Sequence, residues 1–393
     1  MEIIEKTSEQ QPLPPLTIWK HTAETCIVLW AMWGGITTPE LAGAISEHGW
    51  IPTLSAATPH RAKPHREYWK NSIHEMRKAK EKATGDGNIT NEEHRQLSKE
   101  GNVFCMIKDI IKTREIIGPQ KPLFMNMITD GTDYKDAVAA ACANGIDGIV
   151  TAGIAFDLPS LTQKYPDIAL VPILFDMKFL KKTLSVRRDR YKKTPDAMII
   201  PDVFKTGGHF PENMENEANR LENLMPEIHE YLDHPDNLKT PEEGAFKKIP
   251  LIIAGGHFDR KDVDRSLALW WNGVQIGTVA IPTFESWASE AYKNALIHAK
   301  RDDIKTVKSN MGGLLIRVIQ NQETPHTPEI KSCIYKCLSR CWVHLWTANT
   351  CMNQNILNGK TFPLGNWFFD ENGNSRITEI TSAKEVMERL KRA

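Results

Sequence analysis

Short apolar runs rich in Val, Ile and Leu alternate along this chain with longer stretches whose apolar residues recur at helical spacing. The runs are residues 26–31, 51–55, 123–128, 148–152, 169–175, 197–202, 251–254 and 273–276. Strand–helix units repeated in this way predict a parallel sheet. Eight strands is the number that a (β/α)8 barrel requires. A doubly wound open sheet would show the same periodicity and remains the competing architecture. After the first run, Thr37-Thr38-Pro39-Glu40 predicts a helix over 39–48, with Thr38 as its N-cap and Pro39 in its first turn.

Two regions depart from this rhythm. Residues 58–118 are long, basic and helical in pattern, and they read as an inserted helical hairpin. Its turn, KATGDGNITNEE at 82–93, places Asp86, Gly87, Ile89 and Glu93 at EF-hand spacing. Lys82 stands where the first carboxylate ligand is needed, so a capped turn at Asp86-Gly87 is the reading and no metal site is expected. After Gly313 the chain carries Cys333, Cys337, Cys341 and Cys351, spaced unlike zinc or iron–sulfur motifs and read as buried apolar side chains of a helix. The expected organisation is therefore an N-terminal tail with the first barrel units in 1–57, the hairpin in 58–118, the remaining barrel in 119–312 and a C-terminal helical extension in 313–393.

Charge excludes some partners. Lys+Arg and Asp+Glu both number 49 among 393 residues, so no global field recruits nucleic acid or an acidic membrane. The apolar run near the N-terminus is too short to span a bilayer, and residues 1–15 do not resemble a secretory signal. Seven cysteines without small-scaffold spacing suit a reducing compartment. The expectation is a cytoplasmic enzyme.

The most informative stretch is KIPLIIAGGHFDRKDVDRSLALWWNGVQIGTVAIPTFE at 248–285. Two successive strands end in small residues, Gly255-Gly256 and Gly277-Thr278. Barrels use the ends of strands seven and eight in this way to hold a phosphate. Upstream, the run 197–202 leads into Thr206-Gly207-Gly208-His209-Phe210. Glycines there let the backbone approach a flat ligand and leave the His209 imidazole projecting, placed to take a proton or stabilise an anion. His257, inside the second GGH, reads as lining the phosphate loop. Asn126 is a polar residue in the apolar run PLFMNMI, and its amide suits a flavin pyrimidine edge as well as it suits a satisfied buried position. Gly153 offers another close approach. No GxGxxG, P-loop, HExxH or GxSxG motif is present, which removes support for Rossmann, Walker, zincin and α/β-hydrolase chemistry.

Taken together, GGITTPELAGAISEHG at 34–49, PLFMNMI at 122–128, NGIDGIVTAG at 144–153, PDAMIIPDVFKTGGHF at 195–210, IPLIIAGG at 249–256, NGVQIGT at 272–278 and SAKEVMERL at 382–390 resemble the nitronate monooxygenase family. That family consists of FMN-dependent TIM barrels and includes FMN-dependent enoyl-acyl-carrier-protein reductases. The resemblance implies that Asn126 contacts the flavin. It also implies that Gly255, Gly256, Gly277 and Thr278 hold the FMN phosphate with Gln275 and Gly208 close by. His209 would be the active-site base, abstracting the α-proton of a nitroalkane or stabilising a bound nitronate before dioxygen is reduced. In a reductase the same pocket would take hydride from NAD(P)H and deliver it to an enoyl thioester. A third reading, a catalytically silent flavin-binding or scaffold barrel, is favoured by Trp30 and Trp33, where the family has a glycine-proline-methionine segment. His257 and Trp270-Trp271 also depart from the family pattern. The expected partners are a small-molecule or acyl-thioester substrate, an acyl-carrier protein in the reductase reading, and a second copy of the chain.

Overall fold

In the computed structural model, eight parallel strands form two four-stranded sheets that meet at two seams. The structure describes residues 11–32, 35–57, 65–129, 131, 133–152, 155–212, 214–234, 237, 248–308, 314–320, 365 and 368–392. The barrel strands are β1 Ile27–Leu29, β2 Thr53–Ser55, β3 Phe124–Ile128, β4 Gly148–Ala152, β5 Ala169–Pro172, β6 Met198–Pro201, β7 Leu251–Ala254 and β8 Gly273–Ile276. One sheet has the order β1-β8-β7-β6 and the other β2-β3-β4-β5. Parallel bridges Val28–Ile51 and Ile173–Ile199 join them. Backbone bonds at both seams reinforce the joins: Leu29 N–H to Ile51 O at 2.9 Å, and Leu174 N–H to Ile199 O at 2.9 Å. The strand order is thus cyclic and follows the sequence, as in a (β/α)8 barrel.

Register decides which side chains face the interior. Partners across a parallel pair share a face, and successive residues alternate. Phe124 pairs with Gly148 and Asn126 with Val150, while Ala254 pairs with Gln275 and Gln275 with Val28. Asn126 and Gln275 therefore both point inward, near the carboxyl ends of their strands. At the opposite end the hairpin Leu16–Ile18/His21–Ala23 closes the barrel. A Cβ on Gly273 would lie 3.0 Å from Leu16 Cδ2 and 2.7 Å from the Cys26 carbonyl, so β8 has room only for glycine there.

Helix α1, Pro39–Glu47, begins as its sequence signals: Thr38 accepts the Leu41 N–H at 2.9 Å and Pro39 sits in the first turn. Helices α2, Arg66–Thr84, and α3, Asn91–Ile117, make up the pair within 58–118. Gly85 ends α2 in the left-handed region, with φ of 75°, and Thr90 opens α3 with a capping box to Glu93. The Glu93 carboxylate accepts from Thr90 N–H at 2.7 Å and Lys80 Nζ at 2.6 Å, so it serves the turn. The second half of α3 buries Met106 and Ile110 beside the barrel strands, and Ile116 lies against Gly43 of α1. That half is part of the barrel's own helical layer.

After β8 the described chain continues through the helix Glu290–His298 to the strands Ile304–Lys308 and Leu315–Ile319, paired antiparallel, and ends in the helix Ala383–Lys391. The region from 313 onward thus contains a strand as well as a helix. Cys333, Cys337, Cys341 and Cys351, with Trp33 and Gly153, lie outside the described residues. Cys26, Cys105 and Cys142 are buried free thiols. Among the described residues no helix is long and apolar enough to cross a membrane, and no group of His, Cys, Asp or Glu side chains is placed to hold a metal ion.

Candidate active site

The loop after β6 carries His209 at the carboxyl end of the barrel. Asp202, buried, opens it: its carbonyl accepts the Lys205 and Thr206 N–H groups at 2.9 and 2.8 Å, and its carboxylate accepts the Phe204 N–H at 3.0 Å. The chain then forms a short strand, Gly208–Phe210, that pairs antiparallel with Leu315–Ile319. Gly208 has φ of 112°, and a Cβ there would stand 2.8 Å from Ile316 Cα. Two reasons, conformation and contact, therefore require glycine.

Sequence reasoning missed the residue that holds this loop. Arg317 is 2% exposed. It donates to the carbonyls of Thr206 and Val203 (2.7 Å for the latter) and to the Glu215 carboxylate. Its own N–H bonds the Gly207 carbonyl at 2.8 Å, and its guanidinium lies 4.7 Å from the Phe210 ring centroid. The available signal was a lone arginine inside the apolar run LLIRVI at 314–319. His209 itself is half-buried, and burial pushes its imidazole down to about 4.

The glycine turns expected to cradle phosphate are brought together beside this loop, and they also pack against the chain itself. Gly255 and Gly256 both have positive φ, 95° and 93°. A Cβ on Gly255 would lie 3.1 Å from Thr206 N, and one on Gly256 would lie 2.6 Å from Lys205 Cδ. The Lys205 stem thus covers Gly256, while its ammonium sits 3.2 Å from Asp202. Gly277 faces Trp30, and the Thr278 hydroxyl accepts the Gly365 N–H at 3.1 Å. Lys205 is a second residue that sequence reasoning passed over, a half-exposed cation at the edge of the diglycine turn.

His257 differs from its sequence reading. It is 2% exposed, and its Nε2 is 2.8 Å from Ser266 Oγ in the helix Arg260–Ala268. Burial, then the charges of Lys205 and Arg265, push it down to about 3. The side chain is turned into the helix and locks that helix to the β7 turn.

Gln275 is an unpartnered polar group of the interior. It is 2% exposed, and neither its carbonyl oxygen nor its amide nitrogen has a hydrogen-bond partner. Leaving both unpaired costs about 1–3 kcal/mol for each group. Asn126 faces the same interior from β3 and is 7% exposed.

A family model described as nitronate monooxygenase matches residues 17–392. The chain belongs to that family. Among curated relatives of this family, a probable nitronate monooxygenase of Staphylococcus saprophyticus is 24% identical over 245 residues, 57% of this chain and 62% of the relative. One from Staphylococcus haemolyticus is 25% identical over 174 residues, 39% of this chain and 44% of the relative. The chain therefore spans less than two thirds of the length of these relatives. Among solved structures, a nitroalkane oxidase from Streptomyces ansochromogenes has a TM-score of 0.59 at 15% identity, covering 95% of both chains. FabK from Thermotoga maritima has a TM-score of 0.56 at 18% identity, covering 94% of this chain and 92% of its own. These likenesses extend the family's fold to this chain.

Proposed function

We propose that the chain is an FMN-dependent oxidoreductase that oxidises a nitronate, or a related small anionic carbon acid, with dioxygen. The observation that carries this reading is Gln275. Its amide offers two N–H donors and a carbonyl acceptor to the barrel interior, with no protein partner for either. A flavin pyrimidine edge presents the complementary acceptors and donor. Asn126 supplies a second amide from the opposite wall. At the phosphate end, Lys205 and the first N–H groups of the turn Thr278–Ala280 would meet the anion; such N–H groups lack intrahelical partners.

FMN, when bound, supplies the transfer of electrons from substrate to dioxygen. The protein's task is to bind and orient the substrate, and His209 is the residue for it. An imidazole held near 4 is neutral at pH 7, a weak base with an N–H to donate. A nitroalkane needs a proton removed, whereas a nitronate arrives ionised and needs a donor. His209 therefore suits the nitronate. The loop that carries it is fixed by Arg317, so the imidazole is oriented before substrate enters.

The test is an absorption spectrum of the purified protein followed by oxygen uptake with propyl-2-nitronate. Flavin bands and nitronate-dependent uptake are expected, with the flavin remaining oxidised when NADH is added without oxygen. Bleaching by NADH and no turnover of nitronate would favour an enoyl reductase instead. A colourless protein that takes up no FMN would overturn both.

A further inference from the structure

A cleft of about 570 Å³ opens at the other end of the barrel, between the helix Leu221–Asp233, the start of β7 and the residues that lead into β8. Its walls include His229, Asp233, Lys248, Leu251, Trp270 and Trp271. His209 follows the carboxyl end of β6, so the two places lie at opposite ends of the strands.

Three features of this cleft have no explanation within the fold. Trp270 is 70% exposed, and its backbone is left-handed with φ of 64°. A bulky residue is strained there, and an exposed indole recovers little by burial. Folding alone would place glycine or asparagine at such a turn. Trp271 is 2% exposed, yet its indole Nε1 has no hydrogen-bond partner. His229, whose ring stands edge-on to Trp270 at 6.1 Å, likewise has a buried Nε2 with no partner.

We propose that this cleft is a second small-molecule site, for a neutral, flat heteroaromatic molecule with a hydrogen-bond acceptor on its edge. The exposed Trp270 face supplies stacking area. The Trp271 N–H donates only, which sets the need for an acceptor, and His229 Nε2 takes either role. Lys248 and Asp233, both exposed at the cleft, carry opposite charges, which argues against a strongly charged ligand. A bound ligand would satisfy the two ring nitrogens and give Trp270 a partner for its strained placement.

Quinoline and naphthalene have the same shape and differ by one ring nitrogen that accepts, so they form the probe pair. Titrated into the whole protein, quinoline is expected to bind saturably and about tenfold more tightly than naphthalene. The indole N–H resonance of Trp271, assigned with Trp271→Phe, is expected to shift with quinoline. Trp270→Gly is expected to weaken quinoline about tenfold while raising the melting temperature, because glycine relaxes the left-handed turn. His229→Phe keeps the ring but removes its nitrogens and is expected to weaken binding too. His209→Ala is expected to leave quinoline affinity unchanged. Equal affinity for the two probes, no saturable binding up to millimolar quinoline, or binding that follows His209→Ala and ignores Trp270→Gly would overturn the proposal.

Discussion

The guanidinium of Arg317 lies over the ring of Phe210, the residue that follows His209, with 4.7 Å between guanidinium carbon and ring centroid. Together with its bonds to Val203, Thr206 and Glu215, this contact makes the His209 loop depend on a strand more than 100 residues away. Arg317→Lys keeps the charge but loses the planar fork. It is expected to lower kcat/KM about tenfold while the fold survives, whereas Arg317→Ala is expected to cost about 3 kcal/mol by leaving carbonyls and Glu215 unpaired. Urea unfolding beside steady-state kinetics separates the two effects.

His209→Ala is expected to retain bound flavin and to lose about 10²–10³-fold in turnover, the range for removing one donor aimed at an anionic centre. In the proposed reading the neutral imidazole would donate its N–H to the nitronate. With the ring neutral above about 4, nitronate turnover is expected to show no limb from His209 across the neutral pH range. A limb centred near the ordinary 6.5 would mean that the loop does not bury His209 in solution.

Gln275→Leu should act with opposite sign on the two states of the protein. Removing two unpaired buried groups is expected to stabilise the flavin-free protein by about 2–6 kcal/mol, at about 1–3 kcal/mol for each. The same change should weaken flavin binding at least tenfold. Melting curves with and without added FMN read both effects. A variant that is destabilised in the absence of flavin would show that Gln275 serves the fold.

Lys205→Met should discriminate between flavins. It leaves the stem over Gly256 and removes the charge, so FMN affinity should drop about tenfold while riboflavin, which lacks the phosphate, is unchanged. Equal losses for both flavins would place Lys205 away from the anion.

His257 gives a prediction for stability against pH. Its folded value, about 3, lies below its ordinary 6.5. Between those values the unfolded chain binds the extra proton, so this contribution is complete above about 6.5, declines as pH falls, and levels off near 3. From pH 6.5 to 5 the loss is about 2 kcal/mol at 1.36 kcal/mol per unit. Urea unfolding at pH 7 and pH 5 measures it, and His257→Gln is expected to remove that share of the difference.

Local patterning determined much of the fold. Each barrel strand lies within or close to an apolar run, and the Thr38-Pro39 start of α1 follows from side-chain capping and a fixed φ, both local effects. The glycines at 208, 255 and 256 were legible as special positions because only glycine takes their positive φ without strain. Three matters were settled only in three dimensions. A parallel run of strands has the same periodicity in an open sheet as in a barrel, and the pairing of β8 with β1 distinguishes them. His257 follows a diglycine just as His209 does, yet Ser266 draws it into a helix while Arg317 and the strand Leu315–Ile319 hold the His209 loop at the barrel's carboxyl end. Gln275 carries no local mark of being unpaired; that depends on what the other seven strands place around it. Sequence spacing records which face a side chain takes. Whether a polar group on that face finds a partner depends on residues far along the chain.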